Sequence, residues 1–439
     1  MTESLIGLGA LLALLLARVP VAFAMGLVGV AGFALMRGWG PAWALLGTTA
    51  FDAGRNYTLS VIPLFVFMGN ILALSGVAHG LYAAADRALG RMRGGLAMAS
   101  ILACGGFSAV CGSSLATAAT MSKVAMPSMR RFGYADSLAA GSIAAGGTLG
   151  ILIPPSVILI IYGLLTETDI AKLFVAGVLP GLLGLGLYLL AVIAVTRLAP
   201  DLAPEAAEPE PLSRRDRWGV AAVLALFAFV MAGIYGGAFT PTEAAGMGAA
   251  AALLIALAMG GLTARGLWRA TLESARTTAM IFAIVIGAEL FTGFVSFAGL
   301  PAALSDLVWR AELSGWAVIA GILLVYLLLG CVLESLSMIL LTVPVFYPLL
   351  YELDFGGGAL ADPEALLIWF GILVVVATEI SLITPPVGMN VFVLRGVLPD
   401  VPLTTIFRGV TPFWIADLIR LAMLAAAPGV SLWLVGGMG

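Results

Sequence analysis

Four short segments hold the residue types able to bind an ion or a small acid at membrane depth. They are CGSSLAT (111–117), GILIPPSVI (150–158), GCVLESLS (330–337) and SLITPPVGMN (381–390). A Pro-Pro pair removes backbone donors and bars regular helix, so carbonyls near it are left without partners. In lipid, such groups persist only where they line a cavity or meet a ligand. Gly112, Ser113 and Ser114 offer a flexible tip with hydroxyls, and Thr384, Gly388 and Asn390 offer a similar mixture in the other half. Pro154, Pro155 and Ser156 form the first break, Pro385 and Pro386 the second, and Glu334 with Ser335 the second tip. Helix N-termini at such breaks present amides to an anion, and freed carbonyls suit a sodium ion. We therefore read these residues as one substrate and cation site, with Na+ expected at Ser113, Ser114, Glu334, Thr384 and Asn390. Small residues inside membrane helices also mark close packing, but breaks in mirrored order in two halves point to a shared site.

These segments need elements to hold them. The chain of 439 residues is 62% hydrophobic and only 10% charged, against about a quarter charged for a soluble domain. Lipid must be its main solvent. Apolar runs of about 20 residues recur throughout, each long enough to cross roughly 30 Å of hydrocarbon. The N-terminal run has neither a basic flank nor a small-residue cleavage site and reads as a first span. The formal net charge of −3 and the lack of an extended basic patch give no footing for nucleic acid. No P-loop, paired-His metal motif or GxSxG nucleophile is present, which argues against an ATPase, a metalloenzyme and a hydrolase. Cys104, Cys111 and Cys331 lack metal spacing and read as packing residues, and His79 reads as interfacial.

Basic clusters set the topology, because cytoplasmic loops collect Lys and Arg. Spans are expected at about 4–17, 20–36 and 58–79. Residues 96–127 are apolar with basic flanks on both sides (Arg87, Arg91, Arg93; Arg130, Arg131), so they are expected to enter from the cytoplasm and return as a hairpin with its tip at 111–114. Spans at about 138–165 and 173–197 complete a first repeat, 1–197. A Pro- and Glu-rich cytoplasmic linker, 198–217, joins it to a second repeat, 218–439. There, spans at about 218–235, 244–262 and 277–298 precede an outside-entering hairpin at 316–350, then spans at about 365–394 and 410–436. Each half reads as three spans, a hairpin and two spans, in opposite orientations: an inverted repeat. Of the 21 Lys and Arg, Arg37, Arg55 and Arg310 fall outside, Lys123, Lys172 and Arg420 fall at or near span ends, and all the rest fall inside. Both termini are then periplasmic. The hairpins and the broken spans 138–165 and 365–394 are expected to form a transport domain, and the outer spans of each half a scaffold.

Intramembrane carboxylates are functional candidates by default. Glu334 is the preferred cation or proton participant. Asp417 and Arg420 share a helix face and should pair. Glu379 lies just before the second Pro-Pro break, Glu289 is a ligand or a protonated group, and Lys123 is expected to snorkel to the inner surface.

The segments GGLAMASILACGGFSAVCGSSLATAATMSKVAMPSM (94–129), GSIAAGGTLGILIPPSVILIIYG (141–163), LFVAGVLPGLL (173–183) and LITPPVGMNVFV (382–393), with ARVPVAFAMGL near the start and IPLFVFMGNIL (62–72), resemble the large membrane subunit of tripartite ATP-independent periplasmic (TRAP) transporters. The resemblance covers essentially the whole chain. It implies an all-α, polytopic, inverted-repeat, elevator-type transporter of the bacterial inner membrane with no cofactor beyond Na+ as coupling ion. It also implies an organic-acid substrate (a C4-dicarboxylate, sugar acid or keto acid), delivery by a periplasmic solute-binding protein, and a separate small four-helix membrane subunit. Where Glu334 stands, the family often carries Asp. Two rival readings remain: a stand-alone anion or dicarboxylate transporter of the same architectural superfamily, and a channel or membrane-embedded enzyme.

Overall fold

The computed structural model describes residues 2–204 and 211–437. Residues 205–210, the centre of the linker read at 198–217, lie outside the described residues, as do the terminal residues Met1, Met438 and Gly439. Among those described, the regular structure is entirely helical, and seven helices are long and apolar enough to cross a membrane.

In the first half, α1 (Thr2–Leu16) and α2 (Val21–Arg37) flank the tight turn at Arg18, which has a positive φ of 64°. Residues 39–55, not expected as an element, form α3 (Trp39–Arg55), whose buried residues Ala42, Thr49 and Ala53 recur at helical spacing. The span read at 58–79 is two helices. Gly76, in the left-handed region at φ 82°, ends α4 (Val61–Ser75) and opens α5 (Val77–Leu89). The first hairpin follows as α6 (Gly95–Cys111) and α7 (Ser114–Arg131). The first broken span is α8 (Asp136–Thr148), a short 3-10 turn and non-helical backbone through the Pro-Pro pair, then α9 (Val157–Thr166). α10 (Ile170–Leu198) closes the half.

In the second half, α11 (Arg214–Tyr235) and α12 (Pro241–Ala258) each start with a capping box, Ser213 with Asp216 and Thr240 with Glu243. Such boxes satisfy orphan donors at a helix start. α13 (Ala264–Phe297) has 34 residues. It begins well before the span read at 277–298 because its charged first turns extend beyond the apolar run. Then come α14 (Leu300–Arg310), the second hairpin α15 (Gly315–Leu329) and α16 (Ser335–Leu350), the second broken span α17 (Pro363–Ser381) and α18 (Met389–Val397), α19 (Leu403–Ala426) and the short α20 (Gly429–Leu432).

The packing is mirrored and crossed. α9, the segment after the first break, packs on α16 and α17 of the second half. α18, the segment after the second break, packs on α7 and α8 of the first half. The last spans cross over too: α19 lies along α8, and α10 against α17. α10 and α19 therefore join the body of hairpins and broken helices, not the outer spans with which sequence grouped them. The remaining helices pack as α2 on α13 and α4 on both α12 and α13.

Hydrophobic driving force is absent between helices in lipid, so small residues that let backbones touch decide these contacts. A Cβ at Gly29 would sit 2.5 Å from the Leu290 carbonyl carbon, and one at Gly287 would sit 2.3 Å from Ala22 O. Between α8 and α19, a Cβ at Gly141 would lie 2.3 Å from Gly409 O. Gly141→Leu should therefore prevent α8–α19 packing and yield an aggregated protein on size-exclusion chromatography in detergent. Gly186→Leu, where a Cβ meets nothing within 4 Å, should elute as wild type.

Candidate functional site

The first hairpin turns at Gly112, which holds φ 61°, a region glycine enters without a Cβ penalty. A Cβ there would come within 3.0 Å of Pro155 O. The hairpin tip is thus seated on the backbone of the first broken span. Ser113 then caps α7, its Oγ accepting from Ala116 N at 3.3 Å. In the second hairpin Glu334 holds the cap position of α16, where Ser337 Oγ donates to its Oε1 at 3.0 Å. Ser335 Oγ donates to Thr378 O at 3.0 Å, tying that tip to α17.

Both tips open onto one cavity of about 510 Å³, lined by Gly112, Ser113 and Ser114 from one half and Glu334 and Ser335 from the other. The starts of α7 and α16 therefore face a common space, and two helix N-termini with hydroxyls beside them suit an anion. The third wall comes from α4 and α13, through Asn70, Glu273, Arg276 and Thr277. Asn70 Nδ2 donates to Ser274 Oγ at 2.8 Å and fixes that wall. Sequence reasoning missed these residues: Glu273 and Arg276 precede the span read at 277–298, and Asn70 sits within the apolar run 62–72. The signal available was a carboxylate and a guanidinium at (i, i+3) spacing on one helix face where a polar start meets an apolar run.

The remaining expected site residues take separate places. Pro154, Pro155 and Ser156 are buried behind the first tip; Ser156 Oγ donates to Ile151 O and accepts from Leu159 N, which closes the break on itself. Both Pro-Pro bonds are cis. Asn390 is fully buried, its Nδ2 donating to Ala144 O at 2.9 Å across the two halves. Its Oδ1 has no protein partner, and the neighbouring Gly147 lies against both the Asn390 amide and Ser114 O. An orphan buried oxygen beside carbonyls of a broken helix fits a small cation.

Thr384, grouped with the sodium ligands from sequence, stands apart. Its Oγ1 donates to Ile380 O at 2.7 Å and accepts from Trp414 Nε1 at 3.0 Å, and it does not line the cavity. Pro385 and Pro386 are exposed, and with Gly388 they also lie off the lining. The second break faces the cavity through Leu382 and Met389 instead. The physical reason is that a helix break frees carbonyls over a whole turn, and only packing decides which of them turn inward.

Beside the site lies a buried ionic cluster. Arg420 Nη2 is 2.6 Å from Glu379 Oε2 and 2.9 Å from Asp417 Oδ1, and all three side chains are fully buried. The Tyr188 hydroxyl donates to Asp417 Oδ2 at 2.5 Å and lies 3.0 Å from Thr148 Oγ1. The expected Asp417–Arg420 pair is present, with Glu379 as its third member. Gly184 makes room, since a Cβ there would lie 2.1 Å from Arg420 Nη1. The cluster joins α8, α10, α17 and α19 in one body. Among the other residues considered, Lys123 is exposed on α7, and His79 Nδ1 lies 3.1 Å from Asp216 Oδ1 at the surface. The Arg130 guanidinium, at the base of α7, is 2.5 Å from Asp400 and holds that carboxyl below its usual range.

Two crossed half-sets of helices, with paired hairpin tips facing one cavity, define an inverted-repeat transport protein of the membrane. The model of the tripartite ATP-independent periplasmic transporter, DctM component, matches residues 8–430, and the chain belongs to that family. The C4-dicarboxylate TRAP transporter large permease protein DctM of Pseudomonas aeruginosa is 38% identical to it over 90% of each chain. The sialic acid TRAP transporter large permease protein SiaM of Vibrio cholerae is 32% identical over 96% of each. Among solved structures, the Alcanivorax borkumensis YdaH transporter matches with TM-score 0.64 at 14% identity, covering 89% of each chain, which is a likeness of fold.

Removing one partner of a buried ion cluster strands the others and costs about 3–5 kcal/mol. Arg420→Leu should lower the thermal unfolding temperature in detergent markedly, and Arg420→Leu combined with Glu379→Gln and Asp417→Asn should recover most of the loss. Equal melting of wild type and Arg420→Leu would show that the cluster contributes nothing to the fold.

Proposed function

We propose that this chain is the large membrane subunit of a sodium-coupled importer of an organic acid. It works in the bacterial inner membrane, with both termini periplasmic, beside a small four-helix membrane subunit and a periplasmic binding protein that delivers the substrate. The observation that carries this reading is the single cavity lined by Ser113 and Ser114 of one hairpin and Glu334 and Ser335 of the other. The substrate carboxylate sits between the starts of α7 and α16, where amide dipoles favour negative charge. Sodium takes the orphan Asn390 Oδ1 with carbonyls near Ser114 in the first half, and Glu334 with its tip in the second. Cation and acid then neutralise each other in a site of low dielectric. Names of relatives that carry C4-dicarboxylates or sialic acid support an acid as cargo.

In this reading α6–α10 and α15–α19 move as one body, carrying the cavity, against α1–α4 and α11–α13 in an elevator motion. The linker 198–217 joins the halves on the cytoplasmic side. The test is uptake of the acid into proteoliposomes that hold both membrane subunits, with the binding protein outside and a Na+ gradient. Ser113→Leu and Asn390→Leu should each lower uptake at least tenfold while eluting as folded protein. Uptake at the wild-type rate by both variants, or uptake indifferent to replacing Na+ with K+, would overturn the assignment.

A further inference from the structure

Glu289 is the sole ionisable residue of α13 between Arg276 and Phe297. It lies ~20 Å along the helix from Arg276 and ~12 Å short of Phe297 at its end, well inside the hydrocarbon. Yet it is exposed on the outside of the chain, and among the described residues it makes no hydrogen bond or ion pair. The charge that acts on it is a second carboxylate, Asp52 of α3, also exposed. A bare acid facing lipid at this depth is strongly unfavourable, and its side chain is too short to reach either surface.

The surroundings of Glu289 are shaped for a helix. Phe282, Ile286, Glu289, Gly293 and Ser296 form one stripe along α13 at i, i+3/i+4 spacing, each exposed or half-exposed, while the residues between them are largely buried. Beside the stripe runs an apolar groove of about 620 Å³ between α2, α3 and α13, walled by Phe23, Trp39, Trp43, Leu46 and Ile286. Trp39 and Trp43 stack along its edge with ring centroids 6.1 Å apart. Small residues on the stripe permit close backbone approach, the condition for helix association in lipid.

We propose that this face receives one transmembrane helix of the small membrane subunit, and that this helix carries a Lys or Arg at mid-depth paired with Glu289. Charge complementarity selects the occupant: lipid tails offer no counter-charge, and a second copy of this chain would bring a second carboxylate. The inference rests on reading the chain as one subunit of a multi-component transporter, but its test reads complex formation and not uptake, so the two fail separately.

The experiment is co-purification of the co-expressed small subunit with tagged full-length chain, with stoichiometry read by native mass spectrometry. Glu289→Lys should lower the bound subunit at least tenfold and Glu289→Gln several-fold, and Leu254→Lys, on the exposed side of α12, should leave it unchanged. Converting the partner's membrane-embedded basic residue to Glu should restore binding to Glu289→Lys. In a second measurement, Ile286→Cys paired with a cysteine introduced next to the partner helix's basic residue should form an inter-subunit disulfide when copper phenanthroline is added as oxidant. Undiminished binding by Glu289→Lys, or Ile286→Cys cross-linking only to a second copy of this chain, would overturn the proposal.

Discussion

Every peptide group in the hydrocarbon must find a partner, and this constraint governs the rest of the structure. Unbroken helices meet it by themselves. The hairpin tips and the Pro-Pro breaks do not, and the fold answers by capping the helices that follow them and seating the tips on neighbouring backbone. Ser113 and Ser156 cap the helices that follow them, Ser335 bonds the carbonyl of Thr378, and Gly112 rests on the Pro155 backbone. Beside these contacts the buried Asn390 oxygen is left without a hydrogen-bond partner, and the space between the tips stays open.

The packing that supports this arrangement relies on contact between backbones and on buried charge. Gly29, Gly141 and Gly287 stand where a single Cβ would collide with a neighbouring main chain. Glu379, Asp417 and Arg420 are enclosed where Gly184 leaves room for the guanidinium. Such a cluster adds little net stability against apolar packing of the same volume, and its contacts tie α8, α10, α17 and α19 to one another.

Much of this was legible in the sequence. The hairpins were readable because apolar stretches with like flanks must return to the side they came from, and the tips fell where 111–114 and Glu334 indicated. The pairing of Asp417 with Arg420 followed from helical spacing. Other features were hidden. Helix α3 was missed because Trp39–Arg55 is neither apolar enough for a span nor polar enough for a loop. The Gly76 break within 58–79 carries no hydropathy signal, since both sides of it are apolar. The placement of Thr384 away from the cavity depends on Trp414, thirty positions on, and no local pattern announces a partner at that distance.

The crossing of α9 and α18 into opposite halves has a consequence for how such a chain arises. Neither half closes a cavity from its own segments, because the piece that follows each break belongs to the other's wall. A gene encoding one half alone would produce a closed cavity only as a pair of copies inserted upside down relative to each other, so its membrane orientation would have to be evenly balanced. Fusing the two into one chain fixes their ratio at one to one and frees each half to acquire its own charge bias.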